Sequence, residues 1–273
     1  MGTLYLVATP IGNLEDISAR ALRILRQVRL IAAEDTRVTK KLLTHYDIQT
    51  RQVSYFEHNK LSRLEYILRA LAEGDVALVS DAGTPGLNDP GYELVRAALQ
   101  VGHQVSPVPG PASPVAALVA SGLPTDAFLY LGYVPRKPSE RRAALLRVAD
   151  LPFTLVFLES PHRLRETLKD MQQVYGDRPV AIARELTKLH EEIWRGTLSE
   201  ALSEWHAREP RGEFTLVITG AAPPTMWDEE QVRSALADLL AAGISRSEAA
   251  RQVARQSGWP KSTVYALCPA ARR

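Results

Sequence analysis

Residues 4–18 read LYLVATPIGNLEDIS, a short apolar run that passes directly into a loop bearing proline and glycine. Beyond the loop, Ile17, Ala21, Leu25 and Val28 are spaced to line one face of a helix. Three more apolar runs alternate with helical patterns in the first half of the chain, namely LIAA (30–33), VALV (76–79) and QVSPV (104–108). Because these runs are apolar throughout, we predict a parallel sheet covered by helices on both faces.

A second series of apolar runs starts after Ser121-Gly-Leu-Pro124. Its members are FLYLGYV (128–134), TLVFLE (154–159), VAIARE (180–185) and FTLVIT (214–219), with a helical pattern from Leu164 to Tyr175. These strands are less regularly interleaved with helices, which favours a mixed sheet. The fold class is therefore α/β, with an N-terminal domain over 1–120, a second α/β domain over 121–220, and a cleft between them.

The remaining residues, 221–273, read as a linker and a small helical extension. AAPPT (221–225) is rich in proline, and two helical patterns follow at roughly 228–242 and 245–257. A Gly258-Trp-Pro-Lys turn and the segment STVYAL complete a pattern that resembles a helix-turn-helix.

Composition limits the classes of protein that the chain can belong to. It has 273 residues, a formal net charge of +2 and one cysteine, Cys268. A disulfide framework is therefore excluded, and the six histidines form no zinc-like cluster, so no metal is expected. No apolar stretch approaches the roughly 20 residues that span a bilayer, and the first residues do not resemble a signal peptide. We expect a cytoplasmic protein with no membrane partner.

Three strand exits share a capping residue followed by proline: Asp89-Pro90, Ser113-Pro114 and Ser160-Pro161. Such pairs are typical of helix starts, where Asp or Ser caps free N–H groups and proline needs none. They also lie at the carboxyl ends of strands, where open α/β sheets bind ligands. Capping alone remains a sufficient explanation for any one of them.

Two loops contain more proline and glycine than capping requires, VATPIGNL (7–14) and VSDAGTPGLNDPG (79–91). Glycine permits close approach of the backbone to a ligand, and proline makes a loop rigid in advance. This combination suits an adenosine-bearing ligand. The dinucleotide fingerprint G-x-G-x-x-G and the P-loop pattern are both absent from the sequence.

Six motifs occur in order between residue 3 and about residue 220: LYLVATPIGNLEDIS, AAEDTR, LVSDAGTPGLNDPGY, PVPGPAS, ESPHRL and ARELTK. Together they resemble the tetrapyrrole-methylase superfamily, and within it the enzymes that methylate small-subunit ribosomal RNA. The resemblance implies S-adenosylmethionine in the cleft between the two domains, and a homodimer. It also implies 2′-O-methylation of a cytidine in the decoding region of that RNA, within the assembled small subunit.

The resemblance also implies which residues bind the cofactor. They belong to three loops of the first domain and one strand end of the second, with the end of FTLVIT closing the cleft: Pro10, Gly12, Asn13, Asp81, Ala82, Gly83, Thr84, Pro85, Pro109, Ala112, Ser113, Glu159 and Ser160.

A ribose hydroxyl is a poor nucleophile, so a neighbouring carboxylate is expected to remove its proton. Four acids follow apolar strand residues and are the candidates: Asp35, Glu185, Glu34 and Glu159. Each of them could instead serve a salt bridge or a helix cap, and Asp35 could pair with Arg37.

Basic residues close to these acids are candidates for RNA contacts: Arg37, Arg163, Arg184 and Lys188, with Arg136, Lys137, Arg141 and Arg142 of PRKPSERR. Arginine and lysine that neutralise phosphates give an affinity that falls steeply with salt. Charge compensation or a solvated helix face would explain the same residues. In the extension, Trp259 and Tyr265 could stack on bases or form the core of that small unit.

One departure and two alternatives remain. Lys60 follows His58-Asn59 where the family pattern leads us to expect an acid, which puts a substrate role of that loop in doubt. The same fold could serve a methylase for a small molecule of the tetrapyrrole type. The chain could also be a helix-turn-helix regulator with a degenerate ligand-sensing domain.

Overall fold

The computed structural model describes residues 2–222 and 227–268. Ten strands and eleven helices are assigned within these ranges. The strands are β1 (Thr3–Val7), β2 (Leu30–Ala33), β3 (Gln52–Ser54), β4 (Val76–Val79), β5 (Gln104–Val108), β6 (Phe128–Tyr133), β7 (Thr154–Glu159), β8 (Pro179–Arg184), β9 (Glu192–Thr197) and β10 (Phe214–Ile218). The helices are α1 (Ala19–Gln27), α2 (Thr36–His45), α3 (Lys60–Glu73), α4 (Tyr92–Gln100), α5 (Ser113–Ser121), α6 (Pro138–Leu146), α7 (Leu164–Tyr175), α8 (Leu198–Ala207), α9 (Glu229–Ala241), α10 (Arg246–Ser257) and α11 (Lys261–Ala266).

The first sheet is parallel and has the strand order β3-β2-β4-β1-β5. Successive side chains of a strand point to opposite faces, so both faces of these apolar strands need a cover. On one face, Val7 and Ile31 pack with buried residues of α1 and α2. On the other face, Leu4 and Leu78 pack with α3 and α4. The prediction of a parallel sheet covered on both sides is confirmed.

The second sheet is mixed, as predicted, with the order β6-β7-β10-β8-β9. β6 and β7 are parallel, whereas β10 runs antiparallel to both of its neighbours, β7 and β8. Helix α5 places Ala117 and Leu118 against Val156 and Val217 of this sheet. The antiparallel direction of β10 brings its first residue, Phe214, beside the last residues of β7 and β8.

Two of the three predicted helix caps are wrong in position. Helix α4 begins at Tyr92 after Gly91, so Asp89-Pro90 lies in the preceding loop. Ser113 is already the first residue of α5, and Ala112 precedes it as the cap. Ser160 does precede a short 3-10 helix, Pro161–Arg163, although its side chain makes no capping bond. The loop before α4 is therefore longer than predicted, and the carboxylate of Asp89 is not used as a helix cap.

A buried ion pair joins α6 to α7. Arg141 Nε donates to Asp170 Oδ2 at 2.6 Å, and the two side chains are only 3% and 6% exposed. The interpretation of Arg141 as an RNA-binding residue is therefore wrong, because its guanidinium faces the protein interior. Its neighbour Arg142 is half exposed and also reaches Asp170, at 3.4 Å.

We predict that Asp170→Asn lowers the free energy of unfolding by about 3 kcal/mol, because it removes the buried counter-charge of Arg141 and leaves only the exposed Glu166, 3.5 Å away. Urea denaturation measures the change. Glu140→Gln, which removes the exposed partner of Lys137 on the same helix α6, should cost less than about 1 kcal/mol. An equal loss in the free energy of unfolding for the two variants would show that the buried ion pair stabilises the protein no more than the exposed one.

The chain divides into two compact units: Met1–Ala149 with Phe153–Thr219, and Asp150–Pro152 with Gly220–Arg273. Both sheets belong to the first unit. In the second unit, α9, α10 and α11 enclose a small core that includes Val232 and Val253. Trp259 packs partly against that core and donates its Nε1–H to the carbonyl of Trp227 at 2.6 Å. Tyr265 is 43% exposed, so only Trp259 has the predicted packing role.

Within the described ranges, no helix is both long and apolar enough to cross a membrane.

Candidate active site

A cleft of about 240 Å³ lies where the loops of the first sheet face one end of the second sheet. Its first-domain wall comes from the loops that follow β1, β2, β4 and β5, which is the carboxyl edge of the parallel sheet. The lining residues are Ile11, Glu34, Asp81, Ala82, Gly83, Thr84, Leu87, Asn88, Asp89, Ala112, Ser113, Pro114, Tyr130, Tyr133, Leu158, Ala183, Leu186, Glu213, Phe214 and Thr215.

Two backbone hydrogen bonds fix the loop after β4. The N–H of Thr9 donates to the carbonyl of Gly83 at 2.9 Å, and the N–H of Gly83 donates back to Thr9 at 3.0 Å. Gly83 has a φ of +81°, a backbone conformation that residues other than glycine rarely adopt. Thr84 Oγ1 also donates to the carbonyl of Pro111 at 3.2 Å. The loops after β1, β4 and β5 are thus tied into one rigid wall.

The loop after β1 meets the second domain at Gly12. A Cβ atom at this position would lie 2.4 Å from Lys188 Cγ and 2.8 Å from the carbonyl oxygen of Leu186. Asn13 caps the 3-10 helix Leu14–Asp16 through the N–H of Glu15. In this loop Ile11 lines the cleft, but Pro10, Gly12 and Asn13 do not.

The predicted cofactor residues thus fall into two groups. The following line the cleft: Asp81, Ala82, Gly83, Thr84, Ala112 and Ser113. The following are not part of its lining: Pro10, Gly12, Asn13, Pro85, Pro109, Glu159 and Ser160.

Glu159 is buried behind the second sheet's end and does not reach the cleft. Its side chain is 0% exposed, and its carboxylate accepts from Thr167 Oγ1 at 2.6 Å and from the N–H of Ser160 at 2.7 Å. Arg163 lies 3.3 Å from the same carboxylate. The interpretation of Glu159 as a catalytic or cofactor-binding group is therefore wrong, because all of its contacts are structural.

Three carboxylates line the first-domain wall of the cleft: Glu34, Asp81 and Asp89. Glu34 Oε2 accepts from the N–H of Asp81 at 3.2 Å, and Asp81 Oδ1 accepts from the N–H of Asp35 at 2.9 Å. Burial raises the pKa of Glu34 and of Asp81 above the ordinary values. Burial, with the nearby charge of Glu34, raises the pKa of Asp89 to about 6.

The other two predicted bases are held in ion pairs. Hydrogen bonds from Arg37, which lies 2.6 Å from Asp35, lower the pKa of Asp35 to about 2. Lys188 lies 2.9 Å from Glu185 and, with the N–H of Glu213, lowers the pKa of Glu185 against the opposing effect of burial. Carboxylates with lowered pKa values accept protons poorly, so Asp35 and Glu185 are weak candidates for a base.

The second-domain wall holds residues that the sequence analysis missed. Tyr130 donates its hydroxyl to Asn88 Oδ1 at 2.7 Å, which joins β6 to the loop after β4. Phe214 and Thr215 come from the start of β10, so the expectation that the end of this strand closes the cleft is wrong. Because β10 runs antiparallel to β7 and β8, its first residues, and not its last, lie at the end of the sheet that faces the cleft. Asp89 lies in a loop that the sequence did single out, but there we assigned it to a helix cap.

Several of the predicted RNA-binding residues form hydrogen bonds or ion pairs within the protein, and others are exposed. Arg163 donates to the carbonyls of Val134 and Pro135, and Arg184 donates to that of Arg211. Arg37 is exposed at the rim beside Asp35. Arg136 and Lys137 are exposed before α6, Arg142 is half exposed, and Lys188 bridges Glu185 and Glu213.

Among residues 2–222 and 227–268, no three His, Cys, Asp or Glu side chains are placed to hold a metal ion.

Residues 3–202 match the family of Tetrapyrrole (Corrin/Porphyrin) Methylases. This chain belongs to that family. The solved methyltransferase CobJ shares the fold with a TM-score of 0.62 and 20% identity over 81% of this chain and 95% of that one. A uroporphyrin-III C-methyl transferase from Thermus thermophilus, complexed with S-adenyl homocysteine, has a TM-score of 0.55 and 23% identity over 79% and 97% of the two chains.

Curated members of the family resemble this chain over nearly its full length. The ribosomal RNA small subunit methyltransferase I of a Synechocystis strain is 48% identical over 98% of this chain and 97% of that protein. The protein of the same name from Bacillus subtilis is 43% identical over 97% and 93%. The family member described here is thus similar to the ribosomal RNA methyltransferases, including in the C-terminal extension.

Proposed function

We propose that this family member uses S-adenosylmethionine to methylate the 2′-hydroxyl of a cytidine in the decoding region of small-subunit ribosomal RNA. The observation that carries the proposal is the rigid cleft wall built on Gly83 and Thr9, in a chain 43–48% identical to two enzymes named for small-subunit ribosomal RNA. We further propose that it acts in the cytoplasm as a homodimer on the assembled small subunit.

The residues of the cleft fit this cofactor. Two apolar side chains of the lining that pack in the same cluster, Ile11 and Leu186, offer contacts for an adenine ring. The carboxylates of Glu34 and Asp81 are suited to ribose hydroxyls or to the positive sulfonium. The glycine at position 83 lets the backbone approach closely, as an adenosine ligand requires. The cofactor, when bound, supplies the activated methyl group.

The remaining chemical task is to position a hydroxyl and remove its proton. We assign proton removal to Asp89, because it lines the cleft and its pKa of about 6 makes it a better acceptor than Asp35 at about 2. At neutral pH Asp89 is ionised and can accept the proton. Its partial burial also strengthens its interaction with a charge that develops in the transition state.

Methyl transfer from radiolabelled S-adenosylmethionine tests the function. We expect label in small ribosomal subunits prepared from cells that lack the protein, and one lost ribose methyl on a cytidine when RNA from those cells is mapped by mass. Methylation of a base, or of a porphyrinoid in place of RNA, would contradict the proposal. Subunits from cells that retain the protein serve as the control, because their site is already filled.

A further inference from the structure

The two faces of the first sheet differ in charge. Helices α1 and α2, on one face, contain six Lys or Arg residues and no Asp or Glu. Helices α3 and α4, on the other face, contain four Lys or Arg residues and three Asp or Glu residues. Of the four helices that cover this sheet, α1 and α2 therefore carry most of the net positive charge. We call the six residues the basic face: Arg20, Arg23, Arg26, Arg37, Lys40 and Lys41.

All six side chains of the basic face are exposed. Arg37 is paired with Asp35. Within the described ranges the other five form no salt bridge, and the hydrogen bonds of the three arginines of α1 go to neutral acceptors. Arg23, for example, donates to Gln27 Oε1 at 3.0 Å, and Arg26 to the carbonyl of Tyr46 at 2.9 Å. These five positive charges therefore have no salt-bridge partner among the described residues.

The basic face is continuous and reaches the cleft. The bond from Arg26 to Tyr46 joins α1 to the residue that ends α2. At its other end, α2 is capped by Asp35, whose N–H donates to the cleft residue Asp81 at 2.9 Å. The unpaired positive charge of α2 thus begins at Lys40, one helical turn beyond the paired Arg37 near the rim of the cleft, and continues along the outside of the sheet.

The cleft itself repels phosphates, because Glu34, Asp81, Asp89 and Glu213 line it. A polyanion that presents one nucleotide to this cleft needs its attraction elsewhere, and neutralised phosphates are the main source of affinity for nucleic acids. We propose that the basic face binds the phosphate backbone of the RNA strand next to the nucleotide in the cleft. This inference rests on the proposed function for the identity of that RNA.

A triple variant, Arg23→Gln, Lys40→Gln and Lys41→Gln, tests the basic face. These residues lie outside the cleft and anchor no other element. The matched control removes three exposed charges from the opposite face of the same sheet: Arg63→Gln, Arg69→Gln and Arg96→Gln. Filter binding of radiolabelled small-subunit ribosomal RNA is measured at several salt concentrations between about 50 and 200 mM. Calorimetry with S-adenosylhomocysteine shows that the cleft is intact in both variants.

The triple variant of the basic face should weaken RNA binding by about tenfold or more at low salt. Its plot of log affinity against log salt should be shallower by about 2–3, because each lost phosphate contact lowers the slope by about 0.7–0.9. With small subunits as the substrate, KM should rise and kcat at saturation should stay unchanged. The control should change RNA affinity by less than about twofold.

Equal losses in the two variants, or an unchanged salt slope in the first, would overturn the assignment of the basic face. The proposed function fails separately, if the wild-type protein transfers no methyl group to small subunits. A wild type that methylates while the basic-face variant binds RNA normally refutes only the further inference.

Discussion

Replacing Gly83 by valine should weaken the binding of S-adenosylhomocysteine by about ten- to hundredfold. A β-branched residue at a φ of +81° costs on the order of 1–3 kcal/mol, which the loop can relieve only by leaving its position. Leaving it breaks the two backbone bonds with Thr9 that hold the wall of the cleft. Isothermal calorimetry measures the dissociation constant, and circular dichroism shows that the chain stays folded.

Gly243→Val is the matched control for that variant. Gly243 also has a φ of +81°, and a Cβ atom there meets nothing within 4 Å. It belongs to the C-terminal unit, so similar backbone strain should leave cofactor affinity unchanged. Full affinity of the Gly83 variant would mean that the loop after β4 does not hold the cofactor.

Asp89→Asn should lower the rate of methyl transfer by about 100-fold or more, since a positioned general base contributes about 10²–10⁴. The wild-type kcat/KM should rise with pH through about 6, the pKa of Asp89, because the protonated carboxyl below that pH accepts no proton. The variant should lack this rise. Initial rates between about pH 5 and 8 measure both effects.

Asp35→Asn is the control for the pH profile. The pKa of Asp35 is about 2, so its removal should leave the rise near pH 6 in place, whatever it does to the absolute rate. A rise that persists in the Asp89 variant would assign it to Glu34 or Asp81, whose pKa values are also raised. Loss of the rise identifies Asp89 as the titrating carboxylate, and persistence of the rise excludes it.

Both sheets could be predicted from the sequence because most strands are apolar on both faces. β2 and β4 match the predicted runs residue for residue. The mixed second sheet was predicted because its strands alternate less regularly with helices along the chain. β3 and β9 were missed, since β3 has three residues and β9, EIWRGT, is polar and only partly buried. Short or polar strands are recognised by their neighbours in the sheet rather than by local pattern.

The candidate site was predictable where it depends on backbone conformation, and unpredictable where it depends on distant partners. The loop over 79–91 was identified because it is dense in proline and glycine, and the family resemblance then named Gly83 within it. Arg141 was assigned to RNA because its partner Asp170 lies 29 residues away along the chain. The end of FTLVIT was expected to close the cleft, whereas its first residue, Phe214, lines it, because strand direction is decided by pairing with β7 and β8.

The close contact at Gly12 has a consequence for the order of folding. Its neighbours, Leu186 and Lys188, come more than 170 positions later in the chain. Contacts of such long range form late, since closing a long stretch of chain costs entropy before the contact stabilises anything. During synthesis the N-terminal half therefore emerges with the loop after β1 uncovered, and Leu186 joins the lining of the cleft only after the strand that ends at Arg184 has joined its sheet.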